Sequence, residues 1–253
     1  MKHFFTILSH EIRMLLVTPS TYIASVIFLS LMGFVFTDIL ETYSQAPQAS
    51  SPADVFFKQF YLPVLFMVPL LTMKCLAEER RLGTIETLLT TPVTTTEVVL
   101  GKYGAAYALY AALWGSTAGF FWILRKFAGD ARLLEWGPMV GGYIFIAVSG
   151  LLFIAIGVLA SALSRNQAVA SILCFAMLFG LIFGGSYLGD AAWLKSDLLH
   201  PVKAAVDYAQ VFRHYEDFSR GVVDLRQLLF YLSGTVLALL FSILGVEAKL
   251  LHG

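Results

Sequence analysis

Apolar residues in this chain gather in six long blocks, not in the one-faced or alternating stripes of a water-soluble fold. The blocks run over 22–39, 60–77, 99–124, 139–163, 168–188 and 228–246. A helix needs about 20 such residues to cross roughly 30 Å of hydrocarbon, so the pattern predicts an all-α integral membrane protein with six spanning helices in one domain over 1–253. In the second block Pro63 and Pro69 each remove a backbone donor, which predicts a kink.

Between the blocks, the polar segments have patterns of their own. Over residues 1–18, Phe4, Phe5, Leu8, Ile12, Leu15 and Leu16 share one helical face, with Lys2, Thr6, Ser9 and Arg13 on the other. That periodicity suits an amphipathic helix at the membrane interface and equally a helix packed on its own bundle. After the second block, Glu78, Glu79, Arg80 and Arg81 lead into Leu82, Ile85, Leu88 and Leu89 at helical spacing. A short helix is expected over 78–92, stopping near Thr91 because Pro92 disfavours α conformation before it. Thr94 and Glu97 have the spacing of a capping box for the third span.

The loop 41–58, rich in Ser, Gln, Ala and Pro, reads as flexible and solvated. The largest polar region, 189–227, is expected on the outer side. Its Val202, Ala205, Val206, Ala209 and Phe212 predict a helix lying on the membrane, with Gly221 at its end. Asp224 and Gln227 then offer an N-cap and box partner for the last span. Small residues recur at fourfold spacing within the spans, as at Gly180 and Gly184, which lets helix backbones approach closely.

Composition agrees with lipid as the solvent: 58% of residues are hydrophobic against 13% charged, where soluble domains run near a quarter charged. Mean hydropathy is +0.77. The 17 basic and 17 acidic residues cancel without forming a basic run, so nucleic acid is excluded as a partner. Lys2 and Arg13 precede the first span while Asp38, Glu41 and Asp54 follow it, which predicts a cytoplasmic N-terminus. The tally of Lys and Arg over the whole chain is close to even and does not decide. The first block begins only near Tyr22, with no small-x-small site close behind, so it is expected to stay in the mature protein.

Candidate chemistry is sparse. Asp38, Lys74, Lys102 and Glu247 fall near span ends, where side chains can snorkel to the interface. The histidines His3, His10, His200, His214 and His252 lie outside the spans, and His10-Glu11 does not continue as HExxH. Cys75 and Cys174 lack paired spacing and read as small buried hydrophobes. Gly101-Lys102 lacks both the earlier glycine and the following Ser or Thr of a Walker A loop. No catalytic, cofactor or metal site is expected, and any energised role must draw on another polypeptide.

Several stretches together resemble a known family: Thr18-Pro19-Ser20-Thr21-Tyr22, the run Glu78-Glu79-Arg80-Arg81-Leu82-Gly83-Thr84-Ile85-Glu86-Thr87-Leu88-Leu89, Val99-Leu100-Gly101-Lys102, Ser164-Arg165-Asn166-Gln167 and Ser219-Arg220-Gly221. In this order they resemble ABC-2 type transporter permeases, most like the GldF and NosY group. The resemblance implies a multi-pass protein of the bacterial inner membrane with both termini cytoplasmic. It implies pairing as a homodimer, or as a pseudo-dimer with a related permease, and a separate cytoplasmic ATPase subunit that holds ATP and Mg. A periplasmic auxiliary protein and membrane lipids are further partners it implies.

The resemblance also makes 78–92 a coupling helix seated in the ATPase. Glu78, Glu79, Arg80, Arg81, Leu82, Ile85, Glu86 and Leu89 would form that contact, and Arg165 a second, shorter one. Gly180 and Gly184 are candidate helix-packing positions. Two readings stand beside each other: a permease subunit that couples ATP hydrolysis elsewhere to export or mechanical signalling, and a membrane anchor or assembly factor that tethers partners. An ion-coupled carrier is disfavoured by the scarcity of intramembrane charge. Fold-level analogy does not transfer a substrate.

Overall fold

The structure is a computed structural model that describes residues 4–45, 50–83, 94–127, 135–189, 203 and 206–251. Regular structure among these residues is helical. Helix α1 (Phe4–Val17) leads through Thr18 into α2 (Pro19–Gln45), where Pro19 occupies a first-turn position that needs no amide donor. After α3 (Pro52–Lys58), the second span is divided into α4 (Tyr61–Thr72) and α5 (Ala77–Leu82). The third is α6 (Thr95–Ser116) with α7 (Ala118–Phe127), and α8 (Trp136–Leu163) and α9 (Gln167–Gly189) follow. A short α10 (Val211–Ser219) precedes α11 (Leu225–Leu251).

Six helical stretches are long and apolar enough to cross a membrane: Pro19–Gln45, Tyr61–Leu82, Thr95–Lys126, Trp136–Leu163, Gln167–Gly189 and Leu225–Ala248. All six predicted blocks are therefore present, with bounds that differ by at most six residues. Helix α8 is the axis of the bundle: 67% of its apolar window is buried inside the chain, against 22% for α9. It accepts close neighbours because side chains are missing where they press in. Tyr110 of α6 lies over Gly150, Thr72 over Gly157 and the Phe57 ring over Gly142.

Capping follows the sequence at the start of the third span. The Thr94 hydroxyl accepts from the Glu97 amide at 3.3 Å and the Glu97 carboxylate accepts from the Thr94 amide at 3.3 Å, a complete capping box. Gly221 also ends its helix as expected, with φ of +79°. The Gly221 amide donates to the Phe218 carbonyl and the Val222 amide to the Asp217 carbonyl, both at 2.9 Å, the paired bonds of a Schellman motif.

Two expectations are corrected. The loop 41–58 is not all solvated, because α2 continues to Gln45 and α3 buries Phe56 and Phe57 completely. The signal for α3 was present: Ser51 caps it by accepting from the Asp54 amide at 3.2 Å, Pro52 sits in the first turn and Asp54 favours the N-terminal dipole. Helix α10 packs on the other helices. Its Val211, His214, Tyr215 and Phe218 form a face buried against the bundle, with Phe145 edge-on to Tyr215 and Phe218. Val202 and Ala205, expected on that face, lie outside the described residues. Finally, Asp224 accepts from the Arg226 amide at 2.9 Å, but Gln227 donates to Asp217 at 2.6 Å instead of closing a box.

Candidate functional site

The chemistry of the chain concentrates where α1, the end of the second span and the start of the third meet. The second span breaks between Thr72 and Ala77, where the chain turns through 73–76. The break is held by α8. The Ser161 hydroxyl accepts from the amides of Leu76 and Ala77, each at 3.0 Å, and approaches the Met73 carbonyl at 3.3 Å. Backbone groups freed inside the bundle thus find a partner on a neighbouring helix, the condition for breaking a helix in lipid.

From this anchored start α5 carries its four charges in different directions. Glu79 turns inward, and its Oε1 lies 2.8 Å from Lys102 Nζ. Glu11 of α1 approaches the same ammonium at 2.7 Å. Lys102 is only 7% exposed and the two carboxylates about a fifth exposed. The capping box fixes the start of α6 and therefore the turn on which Lys102 projects. Lys102 does not snorkel, contrary to the sequence expectation, because two acids from other helices meet it inside the protein. Removing one partner of such a buried pair typically costs about 3–5 kcal/mol, since a desolvated charge is left behind.

Arg80 also turns inward. Its Nη2 donates to the Gly245 carbonyl near the end of α11 at 2.8 Å, while Nη1 is buried without an acceptor among the described residues. Glu78 is half-buried, whereas Arg81 and Leu82 are exposed, Leu82 by 61%. Helix α5 ends at Leu82 because Gly83 takes the left-handed conformation, φ +69°. The helix expected over 78–92 is therefore interrupted at Gly83. Ile85, Glu86 and Leu89 lie outside the described residues. Arg165 is exposed at the turn between α8 and α9.

Helix α1 closes the site from the side. Ile7 fills the space above Gly101, where a Cβ would come within 2.6 Å of its Cγ2, and Leu8 lies over Gly104. Four of its apolar residues stay outside, Phe5, Met14, Leu16 and Val17, with Phe5 72% and Val17 78% exposed. The helix is therefore both packed on the bundle and apolar toward the surroundings. The glycines singled out in α9 behave differently: nothing within the chain lies against Gly180 or Gly184.

At the opposite end, a cleft of about 720 Å³ opens between α3, α9 and α10, lined by Asp54, Lys58, Tyr61, Phe183, Tyr187 and Phe212. The Tyr215 hydroxyl donates to Asp54 at its border and Lys58 pairs with Glu216 at 3.4 Å. Behind it, His214 is buried: Nε2 meets the Tyr208 carbonyl at 2.9 Å and Nδ1 the Tyr231 hydroxyl at 3.1 Å. Burial holds its imidazole below the ordinary histidine range, opposed by the Tyr208 bond and by Asp217 and Asp224. Among the described residues no group of His, Cys, Asp and Glu is placed to hold a metal ion.

Comparison with known proteins places this arrangement. A family model described as "ABC-2 family transporter protein" matches residues 5–246. Two curated relatives, each named "Probable multidrug ABC transporter permease YbhR", come from Escherichia coli K12 and Escherichia coli O157:H7. Each is 26% identical over 180 residues, covering 66% of this chain and 44% of the relative. The chain thus spans less than half the length of these relatives in its alignment.

Proposed function

Because the chain belongs to the ABC-2 transporter family, we propose that it is the membrane-spanning permease subunit of an ABC machine and receives its energy from a separate cytoplasmic ATPase. The observation that carries this reading is the division of labour on α5. Glu79 is tied to Lys102 and, through it, to Glu11, while Arg81 and Leu82 project outward one residue from the helix end. A protein docked on Arg81 and Leu82 would push a helix that is electrostatically joined to both α1 and α6. Displacement would then reach two spans and the N-terminal helix together.

On this reading the end bearing α1 and α5 is cytoplasmic and the cleft beside α10 belongs to the outer side. ATP and Mg bind the partner, and the chain itself supplies no catalytic group. Two copies, or one copy and a related permease, complete the pathway, and the little-buried α9 offers a surface for that pairing. The EERRLGTIETLL run of the sequence favours the GldF and NosY group within the family. Export and the transmission of force remain the two outputs such a subunit can serve.

The test is co-purification with the ATPase subunit, followed by its turnover in reconstituted membranes. Arg81→Glu combined with Leu82→Glu is expected to leave insertion intact and to lose the bound ATPase, because like charge and lost apolar contact fall on the exposed end of α5. Full retention of ATPase binding and activity would overturn the docking role. An ATPase that binds but whose turnover ignores the permease would favour the anchor reading.

A further inference from the structure

A cavity of about 230 Å³ opens between α1 and the break in the second span. We propose that it is a phospholipid site, selective for a headgroup that carries both a phosphate and a primary ammonium, as phosphatidylethanolamine does. The proposal rests on the cavity and the membrane setting and is independent of any ATPase partner.

Its place in the bilayer follows from helix geometry. Lys102 lies seven residues into α6, about 10 Å from the start of that helix at 1.5 Å per residue. The third span, Thr95–Lys126, has 32 residues, more than the roughly 20 a bilayer core needs, so the depth of Lys102 corresponds to the boundary between headgroups and acyl chains. Helix α1, whose Ile7 packs at Gly101 next to Lys102, carries the exposed apolar residues that an interfacial helix requires.

The lining has two parts. Met14, Leu15, Leu70 and Leu71 make an apolar wall suited to the first methylenes of an acyl chain. Beside them stand Lys74 and Glu78, both half-buried, and neither side chain has a hydrogen-bond or ion-pair partner among the described residues. Half-buried opposite charges that do not pair with each other leave a phosphate position at Lys74 and an ammonium position at Glu78. The room equals roughly eight waters at about 30 Å³ each, enough for a headgroup and too small for a folded peptide.

Charge selects among lipids. Lys102 is already met by Glu11 and Glu79, so the lining holds two lysines against three glutamates. An anionic headgroup without an ammonium would face excess negative charge. A quaternary ammonium would be attracted to Glu78 but would have no N–H to donate to its carboxylate. A primary ammonium satisfies the charge and the hydrogen bond together.

The experiment is native mass spectrometry of the protein released from nanodiscs containing equal phosphatidylethanolamine, phosphatidylglycerol and phosphatidylcholine, with thermal unfolding as a check on fold. Phosphatidylethanolamine is expected to be retained in preference to the other two. Glu78→Gln and Lys74→Met should each reduce that retention about tenfold, the loss of one charge-assisted hydrogen bond. Leu70→Trp, which fills the apolar wall, should reduce retention of every lipid at the site while keeping both charges. Equal retention of the three lipids, or unchanged retention in both charge variants, would overturn the proposal. So would a stabilisation by soluble phosphoethanolamine equal to that by the lipid, which would assign the cavity to a free solute.

Discussion

Gly157 of α8 faces Thr72 of α4 so closely that a Cβ on Gly157 would fall inside contact distance of the Thr72 hydroxyl and methyl. Thr72 is fully buried and its hydroxyl already donates to the Val68 carbonyl at 2.9 Å, so it cannot swing away without losing that bond. Gly157→Ala is therefore expected to destabilise the protein by about 1–3 kcal/mol, the usual cost of overpacking a closed contact. Gly180→Leu and Gly184→Leu should leave the unfolding temperature of the isolated chain unchanged, since nothing within it lies against either glycine. Differential scanning fluorimetry in detergent reads both. Equal effects at Gly157 and Gly180 would contradict the assignment of α8 as the packed axis.

Sequence pattern located the spans because hydrophobic length is the quantity a bilayer selects, and the caps at Thr94 and Gly221 because each depends on residues within a few positions. It did not find the charge cluster. Glu11, Glu79 and Lys102 lie 91 and 23 residues apart in pairs and meet only when α1 folds against α6; no local spacing announces that. Gly180 and Gly184 have the fourfold spacing, yet the glycines pressed by neighbours include Gly142, Gly150 and Gly157, where partner side chains decide. Glu79 and Arg80, expected in the ATPase contact, turn inward to Lys102 and the Gly245 carbonyl.

Membrane orientation is open to a direct measurement. Val222 is 57% exposed just beyond the Schellman turn, on the side proposed to be external. Both native cysteines are buried, so background labelling should be low. Val222→Cys is expected to react with an impermeant maleimide in intact cells. Reaction only after the cells are opened would reverse the proposed topology. Ser219 is a poorer reporter because it is buried.

His214 gives a pH dependence whose sign follows from its burial. Its folded-state pKa is lowered from the ordinary 6.5, chiefly by desolvation, so the unfolded chain binds the proton more readily. Stability from this group is complete above about 6.5 and falls as the pH drops below that value toward the lower folded pKa. Protonation would also place a second donor against the Tyr231 hydroxyl, which now meets Nδ1. Thermal unfolding between pH 8 and pH 5 should show a fall in the native protein that His214→Gln flattens. Parallel curves for the two proteins would mean that other groups carry the acid sensitivity.

The buried cluster makes the sharpest energetic claim. Lys102→Met removes the ammonium that lies between Glu11 and Glu79, both about four-fifths buried. The expected loss is about 3–5 kcal/mol, the cost of an uncompensated buried charge, and not the 0–1 kcal/mol of a surface pair. Neutralising the acids as well, in Lys102→Met with Glu11→Gln and Glu79→Gln, should recover most of that loss because no charge then remains to be solvated. The contrast separates charge from packing, since both variants carry the same methionine at 102. If Lys102→Met unfolds at the native temperature, the cluster contributes nothing. If the triple variant is no more stable than the single one, the defect lies in the packing of residue 102 against α1 and α5, and joint movement of these helices would have to be carried by apolar contacts such as Ile7 on Gly101.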